Sequence, residues 1–263
     1  MADSGFPIDT SGYVPLKLDV NARELSQEQF DQWLKTIDIM RDVIVCCTAI
    51  SAGRGLAGHT GGAFDVVPEA LLIDGFIRGG APIYPYLLDE AGHRVALQYA
   101  FSAFNGHIPF SDLTDYRMAG KGLYGHPEID VERGIGFASG RLGHIWPFAN
   151  GIAMAHPHLS VVVLGSDGAQ MEGNDAEAAR LAVARKLNVK LLIDDNNVTI
   201  AGHPSEYLPG FSVEATLAGH GLAVNSGQAE EFRDLYARVQ NALIQPGPFG
   251  VVNRRVMAPG VKG

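Results

Sequence analysis

Two polar clusters follow apolar runs in the sequence, and their residue types point to a cation site. Ser166, Asp167 and Gly168 come directly after Leu159 to Leu164 and Gly165, while Asn196 stands twenty-nine positions after Asp167 in the run Asp194, Asp195, Asn196, Asn197, behind Lys190 to Ile193. One carboxylate and one amide oxygen attract an anion poorly. They suit Mg²⁺, which accepts one or two protein oxygens and fills its octahedron with phosphate oxygens and water. Gly168 and the amides after it would offer N–H groups to the same phosphates where a helix begins, so metal and backbone together would hold a diphosphate. Asp and Asn are also the commonest turn residues after strands, so on spacing alone the turn reading stays open.

The elements that must carry these clusters are legible around them. Leu159 to Leu164 is a continuous apolar, β-branched run, as in a strand covered on both faces. Asp175 to Leu187 has helical composition with Ala178, Leu181 and Ala182 apolar, and Lys190 to Ile193 forms a second short strand, giving a β-α-β unit. Further on, Leu222 to Val224 reads as a third strand. Gln228 to Ile244 reads as a helix turning Phe232, Leu235, Val239 and Leu243 inward, and Phe249 to Asn253 as a fourth strand. Helical crossovers of this length imply an α/β fold, a doubly wound parallel sheet with helices on both faces. Ligands of such sheets sit at the carboxyl ends of the strands, where both polar clusters fall. In the first half, Ser26 caps a helix and Gln29 completes a capping box. Phe30, Trp33, Leu34, Ile37, Met40 and Ile44 then share one helical face. Residues 1–25 read as an irregular arm and 26–263 as one domain.

Composition narrows the partners. The 20 Lys and Arg against 29 Asp and Glu give a net charge of −9 without a basic block, which argues against nucleic acid and against an anionic membrane surface. No apolar run approaches the ~20 residues of a membrane span, and Met1 to Asp9 lacks the basic flank and apolar block of a signal peptide. The adjacent Cys46 and Cys47 disfavour a normal disulfide and fit no zinc motif, consistent with reduced core residues in a cytoplasmic protein. The chemistry is to be sought in pockets.

Taken together, Gly165-Ser166-Asp167-Gly168 and Asp195-Asn196-Asn197 resemble the thiamine-diphosphate motif, and the longer stretch from Asp167 through Gly173, Lys186-Leu187, and Asp194 through Gly202 is similar to the transketolase family. Gly58-His59-Thr60-Gly61-Gly62, Gly92-His93, Gly125-His126-Pro127-Glu128 and Ser139-Gly140-Arg141-Leu142-Gly143 agree with it upstream. The resemblance spans about residues 26 to 257. It implies the thiamine-diphosphate-binding fold, with Asp167, Asn196 and the Val198 carbonyl holding Mg²⁺ or Ca²⁺. It also implies Gly168 and His93 near the diphosphate, and Gly140 and Leu142 against the cofactor's rings. By the same resemblance His59 and His126 face the donor substrate, where an imidazole hydrogen-bonds hydroxyls or carries a proton, and Glu172 lies at an interface beside the cofactor. His156, His158 and His220 are read as ordinary structural histidines.

The pattern also has departures. Ser166 occupies a position where the family usually has glycine, Arg141 stands where proline is common, and His144-Ile145 replaces a Gln-Gly pair; a cation and an imidazole there would bear on substrate choice. Thiamine chemistry further needs a glutamate against the aminopyrimidine, which in this family lies on a second domain that nothing after residue 205 supplies. The expectation is therefore transketolase-like transfer of a two-carbon ketol or acyl unit from a ketose or 2-oxo acid to an aldehyde. This chain would supply the diphosphate half and work in a homo- or hetero-oligomer with a second subunit or domain. The alternatives are a non-catalytic scaffold or regulatory subunit of the same fold, a 2-oxo acid decarboxylating or dehydrogenase component, and a dinucleotide-binding domain. The last is disfavoured because no Gly-x-Gly-x-x-Gly follows Leu164.

Overall fold

Five parallel strands form one sheet in the order β1-β2-β3-β5-β4 in a computed structural model that describes residues 5–56 and 58–260. The strands are β1 (Leu88–Asp89), β2 (Val161–Ser166), β3 (Val189–Asp195), β4 (Ala223–Gln228) and β5 (Phe249–Arg254). The helices around them are α1 (Gln27–Gly53), α2 (Gly61–Asp65), α3 (Val67–Arg78), α4 (Val95–Phe104), α5 (Ile145–Ala155), α6 (Gly173–Arg185), α7 (Pro204–Tyr207), α8 (Val213–Gly219) and α9 (Phe232–Ile244).

Because successive side chains of a strand point to opposite faces, each central strand feeds two separate cores. Val162, Leu164, Leu192 and Val251 join α1, α3, α4 and α9 on one face. Val161, Val163, Leu191, Ile193 and Val252 join α5, α6 and α8 on the other. This is why the strands read as unbroken apolar runs, and it gives the doubly wound arrangement with helices on both sides.

The first helix starts as its sequence dictates. The Ser26 hydroxyl accepts the Gln29 N–H, and the Gln29 side chain accepts the Ser26 N–H in return. Trp33, Ile37, Met40 and Ile44 are buried on its inner face, with Phe30 and Leu34 packed at the margin. Residues 5–26 contain no helix or strand, yet Leu16, Leu18 and Leu25 are buried in the main core, so the described part of the arm is fastened to the body. Residues 1–4 of that arm and 261–263 lie outside the described residues.

Some features differ from the sequence reading. β4 continues to Gln228 and α9 begins only at Phe232, where the sequence ends the strand at Val224 and starts the helix at Gln228, because the polar Asn225, Ser226 and Gln228 of an edge strand carry no apolar run. The short strand β1, paired with β2 through Leu88 and Val163, is missed because two residues carry no periodicity. Strand β3 continues through Asp194 and Asp195, where a turn is expected. Asp194 sits fully inside the sheet because Arg255 Nε stands 3.2 Å from its Oδ1 and Arg94 Nη1 3.6 Å from its Oδ2, offsetting the cost of burying a carboxylate. Among the described residues no helix is long and apolar enough to cross a membrane.

Candidate functional site

The parallel register sets Ser166 beside Asp194, so Asp167 and Asn196 both leave the sheet at its carboxyl edge. The two loops adjoin directly. The Asp167 N–H donates to the Asp194 carbonyl at 3.1 Å, and Asp167 Oδ2 accepts the Asn197 N–H at 2.9 Å. Asp167 Oδ1 accepts the Gly168 N–H at 2.7 Å. Burial raises the Asp167 carboxyl to about 6, its two backbone hydrogen bonds opposing the rise. A buried carboxylate of this kind is one that a cation would favour in its ionised form. Asn197 adopts a left-handed backbone (φ 58°), a conformation asparagine tolerates, and its side chain pairs with Ser205. Asn196 is turned so that Oδ1 accepts the Val198 N–H at 3.0 Å.

The amides after Asp167 are arranged differently from the expectation of a free helix start. Ala169 N–H donates to Ser166 Oγ and Gln170 N–H to the Asp167 carbonyl, within a single 3₁₀ turn, and α6 begins only at Gly173. Gly168 is tight against the next loops: a Cβ there would lie 3.2 Å from Thr199 Cγ2 and 3.7 Å from Leu142 Cδ2.

Three imidazoles collect beside this edge. The His59 and His93 rings are 4.8 Å apart between centroids, and His126 is close enough to bear on both electrostatically. Burial, then Arg94 and the other two histidines, push His93 down to about 3; burial, Arg117 and His126 lower His59. His93 is fastened to the sheet by its neighbour. Arg94 is buried and donates to Asp89 and to the carbonyls of Leu164 and Gly165, immediately before Ser166 and Asp167. His156 and His158 are exposed and His220 is half-buried, away from these partners.

The remaining expected residues lie on the loops that touch. Gly92 leaves no room for a side chain, since a Cβ would fall on the Ser139 carbonyl oxygen, and this contact brings the His93 turn against the Gly140–Leu142 loop. Gly140 is exposed and Leu142 half-buried. Glu172, exposed at the N-cap of α6, lies along Gly143. Arg141 and His144 are exposed, His144 being the N-cap of α5.

Sequence reasoning missed the buried polar layer beneath. Asp65 and Glu69 from α2 and α3, Asp89 and Asp194 from the sheet, Arg94, Asn253 and Arg255 form one connected network: Asn253 Nδ2 donates to Glu69 at 2.9 Å, and Arg255 donates to Glu69 and to the Asp65 carbonyl. The signal available was weak, a few charged residues inside otherwise apolar runs. Among the described residues no three His, Cys, Asp or Glu side chains are grouped to share an ion. The expected donor set uses one carboxylate, one amide and one carbonyl, and its chemistry fits a hard cation with phosphate.

The family model described as "Transketolase, thiamine diphosphate binding domain" matches residues 85–242. Over 255 residues the chain is 26% identical to an apulose-4-phosphate transketolase subunit of Actinobacillus succinogenes, covering 92% of this chain and 90% of that protein. It is 38% identical to the transketolase of Aquifex aeolicus over 129 residues, which are 43% of this chain and 19% of that one. In structure, the Campylobacter jejuni transketolase superposes with a TM-score of 0.74 at 23% identity, over 85% of this chain and 38% of that chain. A Pichia stipitis transketolase does so with a TM-score of 0.72 at 24% identity, over 86% and 36%. The chain thus spans less than two-fifths of these transketolases but nearly all of the Actinobacillus relative. The fold is the thiamine-diphosphate-binding fold of transketolases, and the chain belongs to the transketolase family through its thiamine-diphosphate-binding domain.

Proposed function

We propose that this chain supplies the metal- and diphosphate-holding half of a transketolase-like site that moves a two-carbon ketol or acyl unit from a ketose or 2-oxo acid donor to an aldehyde acceptor. The observation that carries the reading is the meeting of the Asp167 and Asn196 loops at one sheet edge, joined by the Asn197 N–H and flanked by His59 and His93. Asp167, Asn196 and the Val198 carbonyl would hold Mg²⁺ or Ca²⁺. When bound, thiamine diphosphate supplies a carbon nucleophile and an electron sink for cleaving the bond next to a carbonyl.

The chain's own residues position and protect. Gly168 and His93 would hold the diphosphate, and Leu142 and Gly140 would line the rings. His59 and His126 hold donor hydroxyls and pass protons. A lowered His59 leaves its imidazole neutral near pH 7, so one ring nitrogen accepts while the other donates. Glu172 meets a second subunit or domain, which brings the glutamate for the aminopyrimidine; the Actinobacillus relative, itself named as one subunit of a transketolase, is in keeping with completion in trans. The setting is cytoplasmic, and neither nucleic acid nor membrane takes part.

The test is reconstitution with the completing subunit, Mg²⁺, thiamine diphosphate and a ketose donor. Two-carbon transfer is expected to fall at least about 100-fold in Asp167→Ala, with loss of the metal that positions the cofactor. Undiminished transfer in that variant would remove the metal assignment.

A further inference from the structure

The orientation of the Asn196 side chain is decided by what surrounds it. Its Nδ2 lies 3.0 Å from Asp65 Oδ2 and 3.1 Å from Asp194 Oδ2, while its Oδ1 receives the Val198 N–H. A backbone N–H only donates, so the amide oxygen is the atom that faces Val198 and the nitrogen is the one that faces the two aspartates.

Asp194 is engaged by Arg255 and Arg94, but Asp65 has a more particular setting. It is fully buried at the end of α2, 131 positions before Asn196. Its other oxygen accepts the Ala258 N–H at 2.6 Å, and Arg255 donates to its backbone carbonyl. Both of its oxygens are therefore directed by fixed donors.

Resting on the proposed function above, we infer that Asp65 is a positioning residue for the metal site. It holds the Asn196 amide with its oxygen presented to the ion, and it ties that orientation to the segment after β5. Outer partners of metal ligands typically govern affinity by about 10–100-fold.

The experiment is Mn²⁺ binding to the full chain in the presence of thiamine diphosphate, read by the electron spin resonance of free Mn²⁺, alongside circular dichroism and melting temperature. Asp65→Asn no longer offers an obligate acceptor to the amide and is expected to weaken Mn²⁺ binding about 10–100-fold with native circular dichroism. Asn196→Asp introduces a third carboxylate against Asp65 and Asp194 and is expected to weaken binding too, although it adds a negative ligand. Adding Asp65→Asn to Asn196→Asp then improves binding several-fold, so the same substitution acts in opposite directions in the two backgrounds. A merely structural Asp65 would lower the melting temperature and leave Mn²⁺ affinity unchanged in both, which overturns the inference. So does an Asn196→Asp chain that binds Mn²⁺ as tightly as the wild type, an outcome independent of whether Asp65→Asn folds. Equal Mn²⁺ binding by wild type and Asp167→Ala would instead strike at the metal site itself, and the inference would fall with it.

Discussion

His93 shows how a single side chain is prepared by its surroundings. Buried beside the Arg94 cation and two other imidazoles, it is held down to about 3, against an ordinary histidine value of 6.5. It therefore stays neutral wherever the protein is folded and hydrogen-bonds as a neutral ring. The stability consequence follows by linkage: the unfolded chain takes up a proton below about 6.5 while the folded chain does not. Stability present above that pH is then lost as pH falls toward about 3. In ¹⁵N-edited spectra the His93 ring is expected to show no titration above pH 5, and His93→Asn should flatten the acid side of the stability curve. A His93 midpoint near 6.5 would contradict the burial argument. At this scale the adjoining of the Asp167 and Asn196 loops was legible, because each follows an apolar run that ends at the same edge of a parallel sheet. The sequence was uninformative for Asp65 and Arg255, whose importance arises from partners more than a hundred positions away.

Elements place these residues through close backbone approaches and buried ties. The Gly92 turn touches the Ser139 carbonyl, so Gly92→Ala must displace the loop that carries Gly140 and Leu142. A stability loss of about 1–3 kcal/mol by urea denaturation is expected, with weaker thiamine-diphosphate binding by calorimetry. At the other end of the sheet, Lys190 on β3 is buried and donates to the carbonyls of Gln245 at 2.6 Å and Gly247 at 2.7 Å, closing the turn between α9 and β5. Burial lowers its ammonium from 10.5 to about 8. Between these values the unfolded chain holds a proton that the folded chain has released, so stability rises with pH across that window, and the cost of the buried charge stands in full below about 8. Urea midpoints at pH 7.5 and 10 should show that rise, and Lys190→Met should abolish it. The β2–α6–β3 unit and β5 were legible because apolar, β-branched runs signal strands covered on both faces, whereas the partly exposed edge strand β4 extends well past the Leu222 to Val224 read from the sequence. The ending of β3 was not legible, because its two aspartates look like a turn until Arg94 and Arg255 are seen to neutralise one of them.

At the scale of the whole molecule, the doubly wound sheet brings the Asp167 and Asn196 loops together at its carboxyl edge, and Ile200 and Val256, in the segments that follow β3 and β5, are exposed apolar side chains. The chain matches nearly the whole of the Actinobacillus transketolase subunit but little more than a third of a Campylobacter transketolase chain, in keeping with its proposed role as half of a site. The most direct measurement is a calorimetric titration of the chain with thiamine diphosphate, with and without Mg²⁺, in the wild type and in Asp167→Ala. Binding is predicted to require the metal and to weaken by roughly 100-fold or more in the variant, since the proposed site would hold the ion through a deprotonated carboxylate. Binding of equal strength without Mg²⁺, or in Asp167→Ala with it, would contradict a metal-tethered diphosphate at this sheet edge.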